Sequence, residues 1–198
     1  MRKKNVLLMI LSIFVVAAFL SGCAGMQAKP TANNFKTPVV TLDSMEVAHA
    51  FGYWYFSNKV KPTKGKPDNV GAPLDLAFTF NVENPNAFPV LMENLKFAVA
   101  FEEFDLNMVS TNAAQWIPAG KTNQVNVHAH FDVRQSLLSL LVTGGFKLKA
   151  EGTNAWAALE KWWTGIPNYE IPVNVKEGSA VFNAGDMVKV TTFKATFP

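Results

Sequence analysis

Four stretches of this chain alternate apolar and polar residues with a period of two, and that pattern leaves few folds open. Leu76, Phe78, Phe80 and Val82 alternate with Ala77, Thr79 and Asn81. Leu95, Phe97, Val99 and Phe101 alternate with Lys96, Ala98 and Ala100, and Val125, Val127, Ala129 and Phe131 with Asn126, His128 and His130. Tyr169, Ile171, Val173 and Val175 alternate with Glu170, Pro172 and Asn174. Successive side chains of a strand point to opposite faces, so each run predicts a strand with one apolar and one polar side. Shorter pieces at Val40–Leu42, Phe146–Ala150 and Val188–Val190 bring the expected total to about seven. Half-apolar strands of this kind bury their faces by stacking two antiparallel sheets, so the fold class is mostly β, a sandwich.

Two segments leave the period. Asp132 opens "DVRQSLLSLLVTGG" as an acidic N-cap with Gln135 at the capping-box position, and Gly144-Gly145 reads as the stop. Val133, Leu137, Leu140 and Leu141 share one face, widened by Leu138 and Val142, so this helix is expected to be largely buried at one end of the sandwich. The second segment is "NAWAALEKWWTG", Asn154 to Gly165. A helical wheel puts Ala155, Trp156, Ala158, Leu159, Trp162 and Trp163 on one half. Thr153 or Asn154 caps its start, and Gly165 with Pro167 ends it. Trp156 and Trp163 lie together on the wheel and are expected to face inward, leaving Trp162 as the most exposed of the three.

The beginning of the chain bears on compartment. Arg2, Lys3 and Lys4 precede an almost wholly apolar run from Val6 to Leu20. Such a run is too short to span a bilayer core of about 30 Å as a helix and has the form of a signal peptide. It ends in Leu20-Ser21-Gly22-Cys23, which resembles the lipobox of bacterial lipoproteins. The resemblance implies cleavage after residue 22 and acylation of Cys23, palmitate being a common chain. It also implies, from Ala24 rather than aspartate at the next position, retention in the outer membrane facing the periplasm. Residues 23–36 then read as a polar tether and residues 37–198 as one domain. Cys23 is the sole cysteine, so no thiol remains for a disulfide or a soft metal site. The net charge of +3 comes from the signal segment; without it the chain carries 15 basic and 15 acidic residues, which argues against a nucleic-acid or acidic-lipid partner.

Between the first two long strands stands "VENPNAFPV". Pro85 lacks an amide donor and ends ladder pairing. Asn84 is pushed toward extended geometry by that proline, with a side chain able to bond the backbone just ahead. Asn86 is a type that tolerates the left-handed region. A rigid connection between neighbouring strands accounts for the whole motif.

These residues, within "LAFTFNVENPNAFPVLMENLKFAVAFEEFDL", resemble the late embryogenesis abundant type 2 family, also called the WHy (water stress and hypersensitive response) domain. "KTPVVTLDSMEV" before them and "WIPAGKTNQVNVHAHFDV" after them fit the same ordered pattern, over about Phe35 to Thr196. The resemblance implies an immunoglobulin- or fibronectin III-like β-sandwich with a helix. It implies a role in envelope stress protection, and no enzyme activity, cofactor or catalytic residue. The chain departs from the family in the long loop Ser57 to Pro73, bearing Lys59, Lys61, Lys64 and Lys66, and in the tryptophan segment. Those lysines, with Trp162 and Trp163, are the candidate contact residues for an envelope protein or lipid. The tryptophan helix is read first as cover over an open end or edge of the sandwich. The other reading, open because the helix is an insert that the family core does not include, is that part of its tryptophan face meets a partner or the lipid interface.

Candidate chemistry is sparse. His128 and His130 face the same way on a strand, but a metal site needs a third ligand and His49 is the only other histidine. Glu102, Glu103 and Asp105 read as neighbours on a solvated strand, without the opposed environments that working carboxylate pairs need. "FGYWYF", Phe51 to Phe56, is aromatic on both faces and reads as core under a covering loop, or else as one side of a groove. The expected function is therefore binding without turnover, by a lipid-anchored envelope protein with no cofactor. The alternative is an accessory lipoprotein carrying a lipid or hydrophobic ligand, which would need an apolar cavity of several hundred Å³.

Overall fold

The structure is a computed structural model and describes residues 28–53 and 71–198. Eight strands form two antiparallel sheets. The first sheet has the order β1-β2-β6, from Val39–Ala50, Pro73–Glu83 and Thr122–Asp132. The second has the order β4-β3-β7-β8, from Phe104–Thr111, Val90–Phe101, Val173–Ala184 and Met187–Phe197, with the short β5 (Gln115–Ile117) also paired to β3. Sequence alternation becomes burial alternation. Along β2, Leu74, Leu76, Phe78, Phe80 and Val82 are buried while the residues between them are only half-buried. The β-sandwich read from the pattern is the fold found, with one more strand than expected.

Phenylalanine fills the space between the sheets. Phe78 and Phe80 of β2 meet Phe97 of β3 with ring centroids 5.3 and 5.1 Å apart, and Phe80 meets Phe193 of β8 at 5.3 Å. Phe131 of β6 meets Phe101 of β3 at 4.8 Å. Ring pairs at such separations pack edge-on or tilted, adding to what burial alone contributes.

The helical segment after β6 is longer and less buried than its sequence suggests. Asp132 does cap it, accepting from Arg134 N at 2.9 Å. The chain then runs through α1 (Val133–Ser139), a π turn (Leu140–Gly144) and α2 (Gly145–Ala150). Gly144 and Gly145 do not stop it, because both take right-handed helical conformations. Gly144 is instead a close-approach residue: a Cβ there would lie 3.1 Å from Leu140 and 3.4 Å from Phe104. The stop is Gly152 at φ +72°, where Gly152 N and Thr153 N donate to the carbonyls of Lys149 and Leu148 at 3.1 and 3.0 Å. That bond pair is a Schellman cap. The strand expected at Phe146–Ala150 is therefore helix, and the one expected from Tyr169 begins only at Val173, after Tyr169 turns the chain at φ +60°.

α3 (Ala155–Gly165) starts on Asn154, whose side-chain Oδ1 accepts from Trp156 N and Ala157 N at 3.1 Å each, and runs into a 3-10 turn at Ile166–Asn168. No helix among the described residues is long and apolar enough to cross a membrane.

Candidate functional site

The sandwich has two dissimilar poles. At one, Asn84 and Asn86 are two of the three buried polar residues of the described chain. The Asn84 amide donates to Phe88 O at 2.8 Å and to the carbonyls of Ile117 and Pro118 at 3.1 Å each. Its oxygen accepts from Asn86 N at 3.0 Å and Asn86 Nδ2 at 2.8 Å. Asn86 in turn holds both backbone groups of Lys36, accepting from its N at 2.7 Å and donating to its O at 2.9 Å. Three segments distant in sequence are thus tied through two amides, and no hydrogen-bonding atom of Asn84 is left over for a ligand. Asn86 is not left-handed; among the described residues the non-glycines with positive φ are Glu102, Tyr169 and Glu177. Phe35 and Lys36, assigned to the tether, belong to this packed pole, with Phe35 buried against Phe88.

At the other pole α3 closes the space between the sheets. Trp162 and Trp163 are buried and Trp156 is half exposed, the reverse of the exposure ranking expected for Trp156 and Trp162. A wheel gives the angle between residues but not which arc faces the core. Here the buried arc is Ala155, Ala158, Leu159, Trp162, Trp163 and Gly165, with Trp162 near its centre and Trp156 just past its edge, so the choice of arc centre and not the axial position decides the ranking. Trp162 packs on Phe104 and Phe101 at 5.4 and 5.8 Å, and Trp163 Nε1 donates to Ala72 O at 2.7 Å. Both are therefore removed from the set of contact residues. Of the two readings of the insert, cover over an open end of the sandwich is the one found.

Glu102 sits beside them in the two-residue turn between β3 and β4, at φ +52°. It is not on an exposed strand, as expected for the acidic trio. Its carboxylate accepts from Trp162 Nε1 at 2.9 Å and from Lys161 Nζ. Burial works to raise this carboxyl, but the bonds from Lys161 and Trp162 and the Lys161 charge outweigh it and hold it below the ordinary value. Glu103 and Asp105 instead face Lys176, at 3.7 and 3.2 Å. A groove of about 370 Å³ runs past Glu102, Phe104, Leu148, Glu151, Lys161 and Trp162. Its one fixed carboxylate is already neutralised by a lysine and an indole, which suits a structural clamp.

The histidine pair meets a partner that sequence reasoning missed. Asp75 on β2 lies opposite His130 of β6 on one side and His49 of β1 on the other. His128 Nδ1 is 3.1 Å from Asp75 Oδ2 and His130 Nδ1 is 3.4 Å from Oδ1. All three histidines of the chain thus border one carboxylate on the outer face of the three-stranded sheet. Among the described residues, no group of three or more His, Cys, Asp or Glu stands in an arrangement that would hold a metal ion.

Cys23, Lys59, Lys61, Lys64 and Lys66, with Trp54 to Phe56, lie outside the described residues. Phe51 and Tyr53 are half-buried, and the Tyr53 hydroxyl donates to Trp156 O at 3.2 Å. The largest unexpected surface feature is apolar: Leu138, Leu141, Val142 and Phe146 of the α1–α2 segment all point into solvent.

No family model matches this chain, and no curated protein matches it. Solved structures do. A protein from Archaeoglobus fulgidus is 12% identical with a TM-score of 0.41, over 79% of this chain and 94% of its own. A Bordetella pertussis protein carrying the name ApaA is 8% identical with a TM-score of 0.41, over 81% of this chain and 92% of its own.

Proposed function

We propose that this protein is a lipid-anchored component of the bacterial cell envelope, of the late embryogenesis abundant type 2 or WHy kind, that acts by binding and not by turnover. The lipobox-like Leu20-Ser21-Gly22-Cys23 and the polar chain after it support the anchor, and Ala24 supports an outer-membrane, periplasm-facing position. The ordered set of strand, Asn-Pro-Asn turn, strand and apolar helix supports the family reading.

The observation that carries the choice of binding module over ligand carrier is the interior. Phe78, Phe80, Phe97, Phe101 and Phe182 are fully buried between the sheets, with cross-sheet ring contacts at 4.8 to 5.3 Å. A carrier of lipid would need that space as a cavity. The grooves described lie on the outside, beside Glu102 or along β7 and β8.

Lipid extraction from protein purified out of membranes tests both parts. The expected result is acyl chains bound covalently to Cys23, lost in Cys23→Ala together with membrane fractionation, and no stoichiometric lipid besides. A one-to-one non-covalent lipid that survives in Cys23→Ala would move the function to the carrier reading.

A further inference from the structure

The segment from Val133 to Ala150 is two-faced in a way the fold does not require. Val133, Leu137, Leu140 and Leu148 are buried against the sandwich. Leu138, Val142 and Phe146 recur at four-residue spacing on another face, with Leu141 beside them, and are 64%, 83%, 95% and, for Leu141, 60% exposed. These four large apolar side chains stand exposed within nine residues, from α1 through the π turn into α2, and make up the apolar stripe of this segment. Isolated exposed apolar residues are ordinary, whereas a contiguous patch marks a surface that something covers.

The charge around the stripe says what. Arg134, Lys147 and Lys149 are the only charged residues from 133 to 150, between Asp132 and Glu151, so a chain that is balanced overall after residue 22 is locally basic here. All three are exposed. Lys147 is steadied by donating to Glu103 O at 3.0 Å and by lying 4.8 Å over the Phe104 ring. Large apolar residues at the tip with basic residues on the flanks, on a helix lying across the end of a domain, match a bilayer interface carrying anionic headgroups. We propose that the α1–α2 stripe docks into an anionic lipid surface, with Leu138, Val142 and Phe146 entering the headgroup boundary and Arg134, Lys147 and Lys149 meeting phosphates.

The length of the tether is compatible with this, and here the inference rests on the anchor reading. The stripe lies at the pole opposite Lys36, separated from it by β2, which is about 36 Å long at 3.3 Å per residue. From Cys23 to Phe35 the chain is twelve residues, a reach of about 40 Å when extended. The exposed local turn from Thr31, held by bonds of 2.7 to 3.3 Å within residues 29–35, has to open to give that reach. Such a turn belongs to the low-stability end of a structure. The anchored chain can therefore bring its helical pole down onto the bilayer that holds it.

The test uses the chain from residue 23 carrying Cys23→Ala, so that no acyl chain contributes. It is mixed with phosphatidylglycerol-containing vesicles or with phosphatidylcholine vesicles and sedimented. Binding to the anionic vesicles, weakened by salt, is expected. The double variant Val142→Glu with Phe146→Glu should bind about tenfold more weakly or worse, since it places charge in the headgroup boundary. Lys149→Glu should lose the preference for anionic lipid. All three positions are exposed, so unchanged melting is expected and is checked alongside. Absence of vesicle binding, or equal binding by the double variant, overturns the proposal. Concentration-dependent self-association abolished by the double variant, without vesicle binding, would make the stripe a contact between copies and also overturn it. Vesicle binding by this chain, with no fatty-acid labelling of the wild type in cells, would sustain the inference while removing the anchor.

Discussion

Asn86 Nδ2 lies 2.8 Å from Asn84 Oδ1, a bond inside the β2–β3 turn that orients the amide with which Asn86 grips both backbone groups of Lys36 ahead of the first strand. Asn84 faces three carbonyl oxygens with its amide nitrogen, all in a site where it has no solvent exposure. Asn84→Asp would keep the shape and the acceptor for Asn86 but turn an oxygen toward those carbonyls. Stability should fall by about 2–4 kcal/mol, the range for a buried network broken on one side. Asn84→Ala should cost less than Asn84→Asp, since it leaves no repelling atom behind. Urea unfolding of the pair checks this. Alanine costing as much as aspartate would mean that the bonds themselves, and not the polarity of the pocket, hold the turn.

The Glu102 carboxyl gives a pH dependence with a defined sign. In the folded state its value is held below the ordinary one of 4.5, so near and below that value the unfolded chain binds the proton more readily. The contribution is present above about pH 4.5, the unfolded value, and is lost as pH falls through the lower folded value. Glu102→Gln keeps an acceptor for the Trp162 indole and has no carboxyl to titrate. Its melting temperature should fall less steeply than that of the wild type between neutral pH and pH 3, measured as a scan series. Identical slopes would show that other carboxylates dominate acid unfolding.

Gly178 tests the close contact at the β7–β8 bulge. The register between these strands slips between Val175 and Gly178. A Cβ on Gly178 would lie 2.4 Å from the Phe193 ring and 2.6 Å from the Phe193 carbonyl oxygen. The ring can turn, but the carbonyl is part of the strand. Gly178→Ala should cost about 1–3 kcal/mol as overpacking does, while Gly145→Ala, where nothing stands within 4 Å, should be neutral or slightly stabilising.

What was legible in the sequence was whatever obeys one period without interruption. β2 and β6 pair in continuous register from Pro73↔Asp132 to Glu83↔Thr122, and both were read from alternation alone. β4 was missed because its pairing with β3 slips between Val99 and Ala100, placing Leu106 as an extra residue between Asp105 and Asn107 and breaking the count. β5 is three residues long, too short to show a period. Phe146–Ala150 alternates yet is helical, because the chain entering it is already helical and its glycines do not turn left-handed. The Asn84 network was half visible: a bond to the backbone ahead follows from local chemistry, whereas those to Ile117, Pro118 and Lys36 are matters of tertiary placement. Asp75 carried no signal, since its partners His128 and His130 lie 53 or more residues away and only strand order unites them.

The tryptophans of α3 separate cover from contact. Trp162 has no exposure, packs on Phe101 and Phe104, and donates to Glu102 at 2.9 Å. Removing it would open a cavity between the sheets and leave Glu102 to Lys161 alone. Trp162→Ala should therefore cost about 3–5 kcal/mol, the range for core aromatic truncation. Trp163, which donates to Ala72 O from an equally buried position, should behave alike. Trp156 is 50% exposed, and its backbone, not its ring, accepts from Tyr53. Trp156→Ala should cost no more than about 1 kcal/mol, as surface changes do. Thermal or urea unfolding of the three single variants decides the matter. Equal large losses at Trp156 and Trp162 would mean that the edge of α3's buried arc is covered as deeply as its centre. If instead Trp162→Ala were nearly neutral, the sandwich would close without the helix, and the segment would be free to serve as a contact surface after all.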